Sequence, residues 1–202
     1  LATKVSWGLE MLGATRRTFG NVVGHASGVT DSSSLSSWTA EAFDHSLDWD
    51  RVKELMDMWG GKVVLKGIMN REDAERAAAL GADAIVVSNH GGRQLDGALS
   101  SIRVLPEIIE AVGDRMEVYF DSGIRSGQDI LKALALGADG VMIGRAWVYG
   151  LGAMGKDGVT RALEVMHKEL DTTMALCGHR DINAVDRRIL HVPEDFGGRW
   201  AD

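Results

Sequence analysis

The chain says one phrase twice: Leu80-Gly81-Ala82-Asp83-Ala84-Ile85-Val86-Val87 and Leu136-Gly137-Ala138-Asp139-Gly140-Val141-Met142-Ile143. Each copy joins a helix end, a glycine stop and a short apolar run of strand length. Working outward, Asn70 caps a helix that reaches Leu80, and Ser126 caps another that Gly137 stops. Further apolar runs at 63–65 and 117–120 read as strands, beside those at 84–87 and 141–143. Ser101 opens a helix ending near Gly113, and Asp48 caps one on Val52, Leu55, Met56 and Trp59 that Gly60-Gly61 ends. A last amphipathic helix is expected over 157–177, with Val159, Leu163, Met166 and Leu170 on one face and Gly178 as its stop. Four short apolar strands alternating with helices make a parallel sheet covered on both faces, either an open doubly wound sheet or a (β/α)8 barrel. In both, chemistry gathers at the C-terminal ends of the strands.

Composition narrows the function classes. Of 202 residues, 22 are Lys or Arg and 29 are Asp or Glu, a net charge of −7 that argues against nucleic acid as a partner. The 45% hydrophobic and 25% charged fractions are those of an ordinary globular domain. Glycine is in excess, at 25 residues against 2 prolines, so the chain makes many sharp turns or close backbone approaches. The single Cys177 excludes an internal disulfide framework and points to a reducing compartment. The nine methionines read as core filling, and Trp147 and Tyr149 as packing for the helix after the last strand. His25, His45, His167, His179 and His191 lack metal-ligand spacing, so no metal site is expected.

The candidate chemistry sits where the strands end. The first is followed by Lys66, whose ammonium at a catalytic rim can offset developing negative charge. The second runs into Ser88-Asn89-His90-Gly91-Gly92-Arg93-Gln94-Leu95-Asp96. Two glycines let the backbone turn sharply after His90, whose imidazole can handle a proton near neutral pH. Arg93 can clamp a carboxylate bidentately. The third strand ends in Asp121-Ser122-Gly123-Ile124-Arg125-Ser126-Gly127 and the fourth in Gly144-Arg145. Two adjacent glycine turns, each with an arginine and a following helix, suit a phosphate, which takes backbone N–H groups, a helix N-terminus and positive charge.

Residues 88–96 (SNHGGRQLD), 121–127 (DSGIRSG), 131–137 (LKALALG) and Gly144-Arg145 together resemble the FMN-dependent α-hydroxy-acid oxidases and dehydrogenases, bacterial L-lactate dehydrogenases in particular. Other FMN barrels share the style of the phosphate turns, but the HGGRQ run distinguishes this family. The resemblance implies a (β/α)8 TIM barrel of which this chain supplies about the second half, four βα units. It implies FMN as cofactor and oxidation of an L-2-hydroxy acid, most simply L-lactate, to the 2-oxo acid. His90 then matches the active-site base and Arg93 the substrate-carboxylate arginine. Lys66 matches the lysine near flavin N1 and O2, Ser88 a flavin contact, and Asp121, Gly123, Arg125, Gly144 and Arg145 the surroundings of the ribityl and phosphate groups.

The same resemblance sets expectations for organisation and partners. Residues 1–47 are read as an irregular segment with some helix, from the loop after the fourth barrel strand, 48–190 as the C-terminal half of the barrel and 191–202 as a tail. Expected partners are a small 2-hydroxy acid, the N-terminal half of the same barrel, and an electron acceptor that is a quinone, a cytochrome or oxygen. The full enzyme is expected to be a homo-oligomer, located in the cytoplasm or peripherally at the inner face of a bacterial membrane, where Leu1, Val5, Trp7, Leu9, Met11 and Leu12 would form the attaching surface. The competing reading is a barrel fragment that is inactive or self-associates through its unpaired sheet edges and keeps only the phosphate site.

Overall fold

The computed structural model describes residues 5–13, 22, 25–29, 32–42, 46–193 and 196. The chain divides into two compact units, Leu1–Gly60 and Gly61–Asp202. The first holds helices α1 (Val5–Gly13), α2 (Ser32–Ala42) and α3 (Trp49–Trp59). Residues 1–47 carry two helices, α1 and α2, among the described residues, and α3 falls in the same compact unit. Leu1 of the expected attaching surface and residues 194, 195 and 197–202 of the tail lie outside the described residues. Asp48 caps α3 by accepting a hydrogen bond from the Arg51 amide at 2.9 Å.

In the second unit the elements run β1 (Val64–Ile68), α4 (Arg71–Leu80), β2 (Ala84–Val87), α5 (Ser101–Val112), β3 (Glu117–Phe120), α6 (Gly127–Ala135), β4 (Gly140–Val141) and α7 (Arg145–Leu176). The strands form one parallel sheet in the order β1-β2-β3-β4. Each crossover moves the sheet one strand in the same direction. A doubly wound sheet reverses this order at a switch point; a barrel does not.

The repeated phrase acts as a tether. Asp139 donates its amide to the Val118 carbonyl at 2.9 Å and accepts the Val118 N–H on its carboxylate at 2.7 Å. Asp83 holds Val63 in the same two ways, at 3.0 and 2.8 Å. In each copy the aspartate that precedes a strand fixes the start of the strand before it. The duplicated sequence is thus a duplicated register lock.

The core lies between the sheet and its helices. Ile85, Val87, Val118 and Phe120 are buried on one face, with Ala74 and Ala77 of α4, Leu105, Ile108 and Val112 of α5, and Leu131 and Ala135 of α6. The other face differs from the expected double cover at its flanks: Ala84 and Val86 of β2 are buried, but Val64 is half exposed, Lys66 and Glu117 are exposed and Tyr119 is partly exposed. Register puts Lys66, Val86, Tyr119 and Gly140 in one row across it. This is the face that points inward in a barrel, where it packs against other strands instead of helices.

Two expected elements shift. β1 runs to Ile68 because a bulge at Gly67 (φ 100°) extends its pairing, whereas the fourth strand is paired only at Gly140 and Val141. The last helix begins at Arg145, twelve residues early, and breaks at Met154 and Gly155. Its two limbs cross where a Cβ on Gly158 would stand 1.9 Å from the Gly150 carbonyl oxygen, a contact only glycine permits. Of the face expected to be buried, Met166 is buried and Val159 and Leu170 are partly so, but Leu163 is exposed. Tyr149 and Trp147 do not pack as expected: Tyr149 is 73% exposed, and Trp147 is held by its indole N–H on the Ile143 carbonyl at 3.0 Å.

Candidate active site

Three strand ends converge on one polar cluster. Lys66 leaves β1 at the bulge, and its ammonium lies 2.8 Å from the Asp121 carboxylate and donates to Ser88 Oγ at 2.7 Å. Ser88, just beyond β2, is 1% exposed and also accepts the His90 N–H at 3.2 Å. Asp121, just beyond β3, accepts the Ser122 hydroxyl at 2.7 Å. Burial alone pushes the Asp121 carboxyl up. Hydrogen bonds from Lys66, Ser88 and Ser122, with the Lys66 charge, outweigh it and hold the group below the usual aspartate range. The cluster is therefore an ion pair held open at neutral pH, with its cation at the rim.

His90 begins a single 3₁₀ turn, His90–Gly92. Its φ of 56° is unusual for a residue with a side chain. The turn is held by the Asn89 carboxamide, which accepts the Gly91 N–H at 2.9 Å and donates to the Leu99 carbonyl at 3.1 Å. The imidazole itself lies over Gly67, where a Cβ would stand 3.0 Å from Cε1. Glycine at the β1 bulge thus makes room for the histidine of the next strand. His90 remains exposed, as a group that must meet substrate requires.

The phosphate candidates divide. The α6 N-terminus, expected to be free for an anion, is already occupied: the Arg125 and Ser126 amides donate to the Asp129 carboxylate at 2.9 and 3.0 Å, and the Gly127 amide to Glu169 at 3.0 Å. Two carboxylates do there what an anion would have done. The α7 N-terminus, following Gly144, has no side-chain cap. Arg145, its first residue, donates to the Gly91 carbonyl at 2.8 Å and so joins this end to the His90 turn. Gly123 (φ 112°) and Arg125, in the turn after β3, are exposed, and Arg125 has no ion-pair partner among the described residues.

Lys66, Ser88, His90 and Asp121 are therefore brought together directly, and Arg145 through Gly91. Arg93 is exposed at the end of the 3₁₀ turn, and none of the described carboxylates pairs with it. Sequence reading passed over two residues. Ser122, at φ 77°, contacts Asp121 and the Gly91 amide, and Ser101, fully buried, donates to the Asp121 carbonyl at 2.7 Å. A serine where the glycine-rich turn needs a positive φ was the available signal for the first. A cavity of about 490 Å³ touches the cluster only at Ser122 and Gly123 and is otherwise lined mainly by apolar residues such as Phe120, Ile124 and Leu190, with Asp129, Lys132 and His191. It holds neither His90 nor Lys66, so chemistry and not cavity size locates the site.

A sequence profile described as FMN-dependent dehydrogenase matches residues 2–192. An L-lactate dehydrogenase of Caulobacter vibrioides is 49% identical over 188 residues, 92% of this chain and 48% of that protein. One from Actinobacillus pleuropneumoniae is 47% identical over 173 residues, 86% of this chain and 45% of its own. Among solved structures, the monotopic membrane protein (S)-mandelate dehydrogenase is similar with a TM-score of 0.84 at 38% identity, covering 92% of this chain and 49% of that one. A mandelate oxidase holding a monooxide FMN adduct gives 0.67 at 48% identity, over 70% of this chain and 45% of that one. The chain spans about half the length of the curated relatives it matches, and its four parallel βα units correspond to half of a (β/α)8 barrel.

Proposed function

The chain belongs to the FMN-dependent dehydrogenase family, and from that premise we propose that it supplies the proton-handling and phosphate-gripping half of an enzyme that oxidises an L-2-hydroxy acid, L-lactate first, to the 2-oxo acid. The observation that carries this reading is the His90 turn, fixed at the end of β2 and hydrogen-bonded to the same Ser88 that accepts from Lys66. A base and a fixed cation at adjacent strand ends suit removal of a proton while negative charge builds nearby.

The donor set fits FMN. Arg125, Arg145, Gly123 and the uncapped α7 N-terminus after Gly144 offer a phosphate two guanidinium groups and free backbone donors. Asp121 and Ser88 lie between that end and Lys66 and would face the ribityl chain and the ring. When bound, FMN supplies the two-electron acceptor. Arg93 binds the substrate carboxylate and sets the α-carbon near His90. The His90 imidazole takes the proton released as the hydroxy acid becomes the oxo acid. Lys66, steadied by Asp121, keeps a positive charge beside the region that becomes electron-rich.

The partner in this reading is the remaining half of the barrel, which would close the exposed face bearing Val64, Lys66, Glu117 and Tyr119. Quinone, cytochrome or oxygen then takes the electrons. None of the described helices is long and apolar enough to cross a membrane. Helix α1 exposes Val5, Leu9, Met11 and Leu12, an apolar surface suited to peripheral attachment at the inner face of the membrane.

The test is reconstitution with the N-terminal half of an L-lactate dehydrogenase relative. Expected are a yellow complex and loss of the flavin colour when L-lactate is added without oxygen. His90→Gln should keep the colour and lose the bleaching. A chain that binds no flavin with that partner and instead sediments as a self-associated species would establish the fragment reading.

A further inference from the structure

Ser122 occupies a position that a glycine-rich turn would ordinarily give to glycine. Its φ is 77°, where a side chain is disfavoured, so serine stays there against a backbone preference. Its hydroxyl has three neighbours from two strand ends. It donates to Asp121 Oδ1 at 2.7 Å, accepts the Gly91 N–H at 3.1 Å and lies 3.4 Å from Ser88 Oγ. Its own carbonyl and that of Asp121 accept from the buried Ser101 hydroxyl at 3.2 and 2.7 Å, which pins the turn from the helix side.

We propose that Ser122 is a positioning residue: its hydroxyl locks the His90 turn to the Lys66–Asp121 pair, so that base and cation keep one relative placement. The inference rests on the proposed function for what that placement serves. The lock itself is a property of this chain alone. Without the hydroxyl, the Gly91 N–H keeps only the Asn89 carboxamide of its own turn, and Ser88, through the His90 N–H, is left to join the turn to the pair. The Asp121 carboxylate likewise keeps Lys66 and Ser88 but loses the Ser122 hydroxyl from Oδ1. Substrate need not touch Ser122 for this to matter, because small displacements of a base are costly to proton transfer.

The test uses Ser122→Gly, which accepts φ 77° without strain, beside Ser122→Ala, which keeps the strain and also lacks the hydroxyl. In the chain without flavin, amide exchange at Gly91 should quicken about 3- to 10-fold in both variants, the equivalent of one hydrogen bond, while exchange in β2 is unchanged. The Asp121 carboxyl, followed by carbon NMR, should titrate at higher pH in both. In the reconstituted enzyme, kcat should fall about tenfold or more with KM much less affected. Unchanged Gly91 exchange overturns the lock. Faster exchange with kcat intact overturns the positioning role, and loss confined to Ser122→Ala assigns the effect to backbone strain and also overturns it. If wild type shows no turnover, it is the proposed function that fails, and Gly91 exchange with the Asp121 titration still decides whether the lock exists.

Discussion

Lys66 and Asp121 form an ion pair at 2.8 Å across the sheet, between strands that do not touch: β1 and β3 are separated by β2. The bridge is possible because Ser88, at the end of β2, is small, and its hydroxyl accepts the same ammonium. Strand order thus creates a site that no single strand end contains.

Removing the ammonium should expose the strength of this arrangement. Asp121 is the more enclosed partner, its side chain 17% exposed against 37% for Lys66. Lys66→Met therefore leaves a partly buried carboxylate without its cation. The expected loss is about 1–2 kcal/mol, between exposed and buried pairs, and Asp121→Asn in the same chain should recover part of it. Urea unfolding of the two single variants and the double variant measures the coupling; additive losses would show that the pair contributes nothing.

Acid should weaken the fold through the same carboxyl. Its folded pKa is lowered, so the unfolded chain binds the proton first as pH falls. The Asp121 contribution is complete above the unfolded aspartate value of about 4 and disappears as pH drops through the lower folded value. Stability measured in that window should fall less steeply with acid in Asp121→Asn than in wild type. Equal slopes would mean that Asp121 titrates alike in both states.

What the sequence could announce and what it could not divide along a physical line. Caps and stops are local, so Asp48, Asn70, Ser126 and Gly81 could be placed without knowing the fold. The run of β2 is short and wholly apolar, that of β3 is Val-Tyr-Phe after Glu117, and the sequence bounds of both agree with the structure. At the α6 N-terminus the Asp129 carboxylate is legible as the local capping partner of Ser126, whereas Glu169, 42 residues away on α7, leaves no local mark. Arg145 reaching Gly91 and Asp121 reaching Lys66 are of the same kind. A helix after Gly144-Arg145 is legible, but the amphipathic pattern bounds the last helix at 157 while it runs from Arg145, where Gly150 closely approaches Gly158.

The open sheet face carries its own reporter. The Tyr119 hydroxyl donates to Glu117 at 2.6 Å, and this hydrogen bond, with the carboxylate charge, raises the phenol above its ordinary pKa. The chain has two tyrosines, so in Tyr149→Phe the ultraviolet titration reports Tyr119 alone. It should titrate above the usual tyrosine value and return toward it in Glu117→Gln. A midpoint unmoved by that substitution would show that the pair does not form in solution.

Backbone contact at two glycines sets the sharpest prediction for stability. A Cβ on Gly158 would stand 1.9 Å from the Gly150 oxygen, and one on Gly127 would stand 2.0 Å from the Leu170 amide nitrogen. In both, the obstacle is backbone, which cannot swing aside as a side chain can. Helix propensity alone would favour alanine over glycine by roughly 1 kcal/mol. Gly158→Ala and Gly127→Ala should nevertheless each destabilise the fold, by about 1–3 kcal/mol or more as the packed limbs are forced apart. Gly152, with nothing within 4 Å of its Cβ position and a helical backbone, is the control. Gly152→Ala should be neutral or mildly stabilising. Thermal unfolding of the three variants decides the matter, because propensity and close packing predict opposite signs at Gly158 and the same sign at Gly152.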